Sequence, residues 1–176
     1  MKDLGELKYF LGIEFARSKQ GILMHQRKYS LELISEFGLA ASKPVSTPMD
    51  TNIKLTTREF DEHFCQDKLT EDDVLADQGS YQRLISKLLY LTITRPDISY
   101  SVQTLSQYLY RPKKSHMEAA LQIVKYIKSQ PGQGILMSSH NNETITAYCD
   151  ADWAACSHSR KSVTGYLIKL GESLIS

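Results

Sequence analysis

The chain has 176 residues, 41% hydrophobic and 23% charged, which excludes disorder throughout and leaves room for one ordinary domain or two very small ones. Its densest apolar run, Leu88 to Ile93, falls far short of the roughly 20 residues of a membrane span, and the first residues lack the apolar stretch of a signal peptide. An intracellular chain with no membrane partner is therefore expected, and Cys65, Cys149 and Cys156, an odd number without CxxC spacing, fit free thiols. The net charge of +1 conceals a segregation: residues 51–80 sum to −5 and residues 81–130 to +6. An acidic block directly before a basic one points to an acidic linker and a polyanion-facing surface.

In chain order, Tyr9, Leu11, Ile13 and Phe15 alternate with Phe10, Gly12, Glu14 and Ala16, so a strand is predicted over about 8–16. A turn at Ser18–Gly21 returns the chain into Ile22–Met24, giving a β-hairpin. Gly12 in mid-strand calls for a bulge or the close approach of a foreign backbone. Tyr29, Leu33 and Phe37 then recur every four residues, with Gly38 as the stop of a helix over about 26–37. Pro44 and Pro48 make the following stretch an extended connector. The acidic stretch that follows shows no sustained periodicity and reads as a solvated, mobile linker without the ligand spacing of a calcium loop.

Three amphipathic helices are predicted next. Ser80 caps the first, whose face is Tyr81, Leu84, Ile85, Leu88 and Leu91; Asp97 caps the second, with Ile98, Val102, Leu105 and Leu109; a Ser115/Glu118 capping box opens the third, with Ala119, Ala120, Ile123, Val124 and Ile127. Arg83, Lys87, Arg95, Arg111, Lys113, Lys114, Lys125 and Lys128 lie at the ends and outer faces of these helices. Each reads either as part of a solvated face or as a phosphate contact, and the Arg111-Pro112-Lys113-Lys114 cluster before a helix N-terminus is the best candidate for the second. Beyond Pro131-Gly132, strands at Gly134–Met137, Thr144–Cys149 and Val163–Leu170, with a fourth beginning at Ser173, suggest an antiparallel meander. Asp150 stands at a strand end with Asp152 one repeat on. A carboxylate so placed is how two-metal nucleases hold magnesium, but such a site needs three or four, and the only acids downstream of Asp150 are Asp152 and Glu172.

The order of these motifs resembles the Pol polyprotein of copia-type LTR retrotransposons. Leu4 through Glu14, Gln26 through Tyr29, Tyr81 through Leu91, Thr94 through Tyr100, Pro112 through His116, Tyr148 through Ala154 and Arg160 through Tyr166 carry the likeness, which covers essentially the whole chain. Small departures stand at Ala155, Lys161 and Val163. The resemblance implies an α+β chain in four parts. Residues 1–49 are the end of the reverse transcriptase palm (a β-hairpin) with a thumb helix, and 50–79 an acidic linker. Residues 80–131 are a three-helix connection region, and 132–176 an incomplete ribonuclease H-like β-meander. It implies Phe10, Leu11 and Gly12 as a hairpin against the primer strand, Arg95, Arg111, Lys113 and Lys114 as nucleic-acid contacts, and Asp150 as the first ribonuclease H carboxylate and metal ligand. The parent enzyme copies RNA into DNA with magnesium. This chain is expected to hold no metal tightly, to lack both activities, and to partner with an RNA–DNA or DNA duplex and the remainder of the polyprotein. The alternatives are a residual duplex-binding module and a product without selected function. An exposed sheet edge and an uncovered apolar face are expected at the C-terminal strands.

Overall fold

A computed structural model describes residues 5–50, 52–53, 55–64, 75, 77–140, 142–154 and 161–176. The fold is mixed α+β, with two antiparallel sheets and several helices. Its contacts divide it into two compact units, one of residues 1–26 with 133–176 and one of residues 27–132. These units do not follow chain order, because the first helix joins the later helices and a late strand joins the opening hairpin. Among the described residues no helix is long and apolar enough to cross a membrane.

In the helical unit, α1 spans Arg27–Glu36, α2 Arg58–Phe64, α3 Gln78–Leu91, α4 Ser99–Ser106 and α5 Lys114–Ser129. The apolar positions predicted from helical spacing converge on one core. Leu33 and Ile34 of α1 meet Tyr81, Leu84, Ile85 and Leu88 of α3, Val102 and Leu105 of α4, and Ala120, Ile123 and Ile127 of α5. Gly38 stops α1 as predicted. Its φ of 67°, with the Leu39 N–H on the Ile34 carbonyl at 2.9 Å and the Gly38 N–H on the Ser35 carbonyl at 3.0 Å, makes a Schellman cap.

The other caps differ from expectation. α3 begins before Ser80, because the Asp77 carboxylate accepts the Ser80 N–H at 2.9 Å. Asp97 caps nothing; it sits in a 3₁₀ turn, Pro96–Ile98, with its carboxylate held by Arg95. At α5 the predicted Ser115/Glu118 box is replaced by His116, which reaches back from the third helical position to accept the Lys113 N–H at 3.0 Å. The acidic block is not structureless where it is described: it forms α2 and, from Gln78, the start of α3, while residues 51, 54, 65–74 and 76 of the predicted mobile linker lie outside the described residues.

In the sheet unit the predicted strand over 8–16 is two strands, β1 Tyr9–Phe10 and β2 Ile13–Ser18. Leu11 and Gly12 are the two residues of the tight turn between them, with φ of 48° and 76°. Positive φ at both positions is the signature of a type I′ hairpin, so a turn, and not a bulge or a foreign backbone, explains Gly12. β3, Gly21–His25, pairs with β2 and on its other side with β4, Gly134–Ser138. The strand at 134–138 therefore extends the N-terminal hairpin and does not open the C-terminal meander. That meander is β5 Ile145–Asp152, β6 Val163–Leu170 and β7 Ser173–Leu174, a separate antiparallel sheet. It meets the first sheet where Ser138 N–H donates to Ser173 Oγ at 2.8 Å. Of the cysteines, Cys149 is free and exposed, and the other two lie outside the described residues.

Candidate nucleic-acid interface

The basic cluster is built where the chain turns from α4 into α5. Pro112 disfavours helical backbone at Arg111, Lys113 is extended (φ −98°, ψ 166°), and the helix starts at Lys114. His116 is fully buried and fixes this geometry. Because its Nδ1 accepts the Lys113 N–H, the ring proton sits on Nε2 and is donated to the Thr56 carbonyl at 3.1 Å. The ring stacks on Tyr108 with centroids 4.0 Å apart, and the Tyr108 hydroxyl donates to the Leu55 carbonyl at 3.1 Å. Burial, and then the neighbouring Lys113 charge, push His116 down to about 4, so the ring is neutral at pH 7.

This arrangement brings the acidic block onto the basic one. Lys113 Nζ donates to Asp61 Oδ2 at 2.5 Å and to Thr56 Oγ1 at 2.9 Å, while the Thr56 hydroxyl donates to Asp61 Oδ1 at 2.7 Å. Burial alone would raise the Asp61 carboxyl, but hydrogen bonds from Lys113 and Thr56 and the Lys113 charge outweigh it and hold the group below its ordinary value. Arg111 Nη1 donates to Glu59 Oε1 at 3.1 Å between two half-exposed side chains. Glu59 is lowered by a backbone hydrogen bond first and by Arg111 second.

The other predicted contact residues are placed differently. Arg95 is interior, with its side chain 1% exposed. Its Nε and Nη2 donate to Asp97 at 2.9 and 2.7 Å, its Nη1 donates to the Gln130 carbonyl at 3.1 Å, and its guanidinium lies 5.4 Å from the Tyr126 ring centroid. It clamps the end of α5 to the turn after α3 and presents no charge to a duplex, because its fork is spent on internal acceptors. Lys87 is likewise paired with Glu36, and Lys128 donates to the carbonyls of Leu39, Ala40 and Ser42. Phe10 and Leu11 are exposed at the tip of the β1–β2 hairpin, with Gly12 in its turn.

Asp150 lies on β5 opposite Gly165, on the same sheet face as Asp152 opposite Val163. Its Oδ1 accepts the N–H of Ala151 at 2.9 Å, and both carboxylates are exposed. Among the described residues no group of three or more His, Cys, Asp or Glu side chains converges. Two acids two residues apart on one strand face fall short of the three or four carboxylates of a two-metal site.

The residues that spacing did not reveal are Thr56, Asp61, Tyr108 and His116. The one signal was the adjacency of blocks of −5 and +6; which acid meets which base, some fifty positions apart, is fixed only by the fold.

No family model matches the sequence and no solved structure matches it. The chain is similar along its whole length to retrovirus-related Pol polyproteins. It is 38% identical over 176 residues to that from transposon RE2 of Arabidopsis thaliana, and 31% identical over 179 residues to that from transposon TNT 1-94 of Nicotiana tabacum. It spans 11% and 13% of the length of those relatives. It is also 31% identical over 178 residues to an uncharacterized mitochondrial protein of Arabidopsis thaliana, of which it covers 68%. By these matches along the whole of its own length the chain belongs to the retrovirus-related Pol polyproteins of copia-type transposons.

Proposed function

We propose that this chain is a stretch of a copia-type reverse transcriptase/ribonuclease H that contacts the nucleic-acid duplex without carrying out chemistry. Residues 1–49 are the end of the palm with its thumb helix, 50–79 the tether, 80–131 the connection region and 132–176 the opening of the ribonuclease H domain. The observation that supports this reading best is the placing of Arg111, Lys113 and Lys114 at and just before the start of the 16-residue α5. Cations there reinforce the field of a helix N-terminus, and Lys and Arg contacts to a duplex release condensed counterions. Asp150 is the first ribonuclease H carboxylate in this reading, with its partners outside the stretch.

Titration of the chain into a labelled RNA–DNA hybrid tests the proposal. Affinity should fall steeply with added salt and should fall further in Lys113→Glu/Lys114→Glu, and magnesium should cause no hybrid cleavage. Binding that is undetectable or indifferent to salt would remove the duplex-contact role. Magnesium-dependent cleavage abolished by Asp150→Asn would remove the non-catalytic one.

A further inference from the structure

The segment that contacts the basic cluster is itself an array of oxyanions. Asp61 takes the Lys113 ammonium with both oxygens engaged, one by Lys113 and the other by Thr56, and Glu59 takes the Arg111 guanidinium. These are the donors a phosphodiester would use, and a carboxylate presents to them the same charge and a similar pair of acceptor oxygens. Two of the three Lys113 N–H groups are already spent on Asp61 and Thr56. The segment is held at its start by Tyr108 on the Leu55 carbonyl and His116 on the Thr56 carbonyl, while the Glu59 end is half exposed. The two contacts therefore differ in strength: the Arg111–Glu59 pair is a screened surface pair of small worth, and the Lys113–Asp61 pair is shielded, its side chains 11% and 15% exposed.

We infer that Thr56–Asp61 is a built-in phosphate mimic that occupies the Arg111/Lys113 cluster, so that a nucleic-acid backbone engages the cluster only by displacing it. This rests on the duplex-contact reading above and adds its regulation. Displacement exchanges one oxyanion for another at the same donors, so the cations stay paired, and the Asp61 carboxylate is rehydrated as the segment leaves. It begins at the exposed Glu59–Arg111 pair and proceeds to Asp61. The gate weakens binding in the resting chain and is relieved when the acidic segment is drawn aside.

The test uses the full chain and anisotropy of a labelled RNA–DNA hybrid over a series of salt concentrations. Glu59→Gln/Asp61→Asn should bind about tenfold tighter than wild type, with a log–log salt slope steeper by up to roughly two phosphate contacts. Glu59→Gln alone leaves the Lys113–Asp61 pair and the His116 contacts in place, so it tests the gate without the risk of unfolding. It should tighten binding about threefold, for about one added contact. Glu143→Gln/Glu172→Gln makes the same net charge change while leaving the carboxylate partners of Arg111 and Lys113 intact, and should change affinity by less than about twofold. Equal affinity and slope in wild type and both gate variants, with binding still lost in Lys113→Glu/Lys114→Glu, would overturn the gate and leave the duplex-contact reading standing. Tightening of the control pair as large as that of the gate pair would also overturn it. Absence of binding even in Glu59→Gln/Asp61→Asn at low salt would overturn both.

Discussion

The helical unit and the sheet unit solve the problem of burying apolar side chains in opposite ways. Among the described residues every buried hydrophobic side chain lies between Leu33 and Ile127, in the helical unit. The β5–β6–β7 sheet instead exposes Ile145, Tyr166 and Leu170 on one face and Tyr148 and Leu167 on the other. The difference follows from periodicity. Spacings of three and four gather a helix's apolar residues onto one stripe, and stripes from α1, α3, α4 and α5 close on each other. Period two divides a strand's apolar residues between two faces, and three strands cannot cover either face themselves. The lesson is that one chain can hold a self-sufficient core in one unit and, in the other, a sheet with apolar side chains exposed on both faces.

The most severe way to break this comparison is to truncate side chains in each unit. Leu88→Ala or Ile123→Ala, each at a fully buried position, should cost about 2–5 kcal/mol, the transfer loss plus the cavity left behind. Leu167→Ala or Ile145→Ala, at exposed positions, should cost less than about 1 kcal/mol. Urea unfolding followed by far-ultraviolet circular dichroism measures both, and equal costs would mean the sheet is covered in solution.

Acid sharpens the same contrast. His116 has a folded value of about 4 against 6.5 for the free side chain, so between these values the unfolded chain binds the proton and the folded chain does not. Stability is therefore full above about pH 6.5 and is lost as pH falls toward 4. The loss amounts to about 3 kcal/mol at 1.36 kcal/mol per unit. Asp61 and Asp97, both held below their ordinary value of 3.8, are protonated in the unfolded chain first and extend the loss to lower pH. The urea midpoint of the helical transition should fall over this window, and His116→Gln should flatten its slope. A midpoint independent of pH in the wild type would show that the ring is not neutral and buried.

How much of this was legible in the sequence depended on the range of the interaction. The helix faces were readable because Tyr81, Leu84, Ile85, Leu88 and Leu91 follow one another at steps of no more than one turn. So was the stop at Gly38, a local demand for positive φ. Gly38→Ala should cost about 1 kcal/mol, since its φ is 67° and no atom stands within 4 Å of the added carbon to add a clash. A melting temperature unchanged by that substitution would discard the cap. The cap at His116 was missed because Ser115 offers equally good local chemistry and the tertiary contact with Thr56 made the choice; the cap at Asp77 is as local as the one expected at Ser80, and spacing did not decide between them. The pairing of β3 with β4 and of Asp61 with Lys113 joins residues far apart in the chain, and no local pattern encodes such a distance. For the candidate site, the basic cluster was readable as composition. Its occupation by the chain's own acids was not, and the withdrawal of Arg95 into the interior was hidden for the same reason.

The smallest expected change in stability is the most informative about the sheet. Ile145 and Tyr166 are 70% and 69% exposed on the same face of β5 and β6, so Ile145→Lys/Tyr166→Lys removes little buried area. It should move the unfolding midpoint by no more than the equivalent of about 0.5 kcal/mol, the range of ordinary surface substitutions. Ile145 and Tyr166, together with Leu170, expose apolar surface on that face, and among the described residues β5 pairs only with β6, which favours association of copies there. The two lysines add charge to that face and should shift sedimentation toward the monomer and lower dye binding to exposed apolar surface. A large loss of stability with no change in association would mean that the face is already packed against another part of the chain. An unchanged midpoint with reduced association would place the whole effect on the exposed surface, as the division between the two units requires.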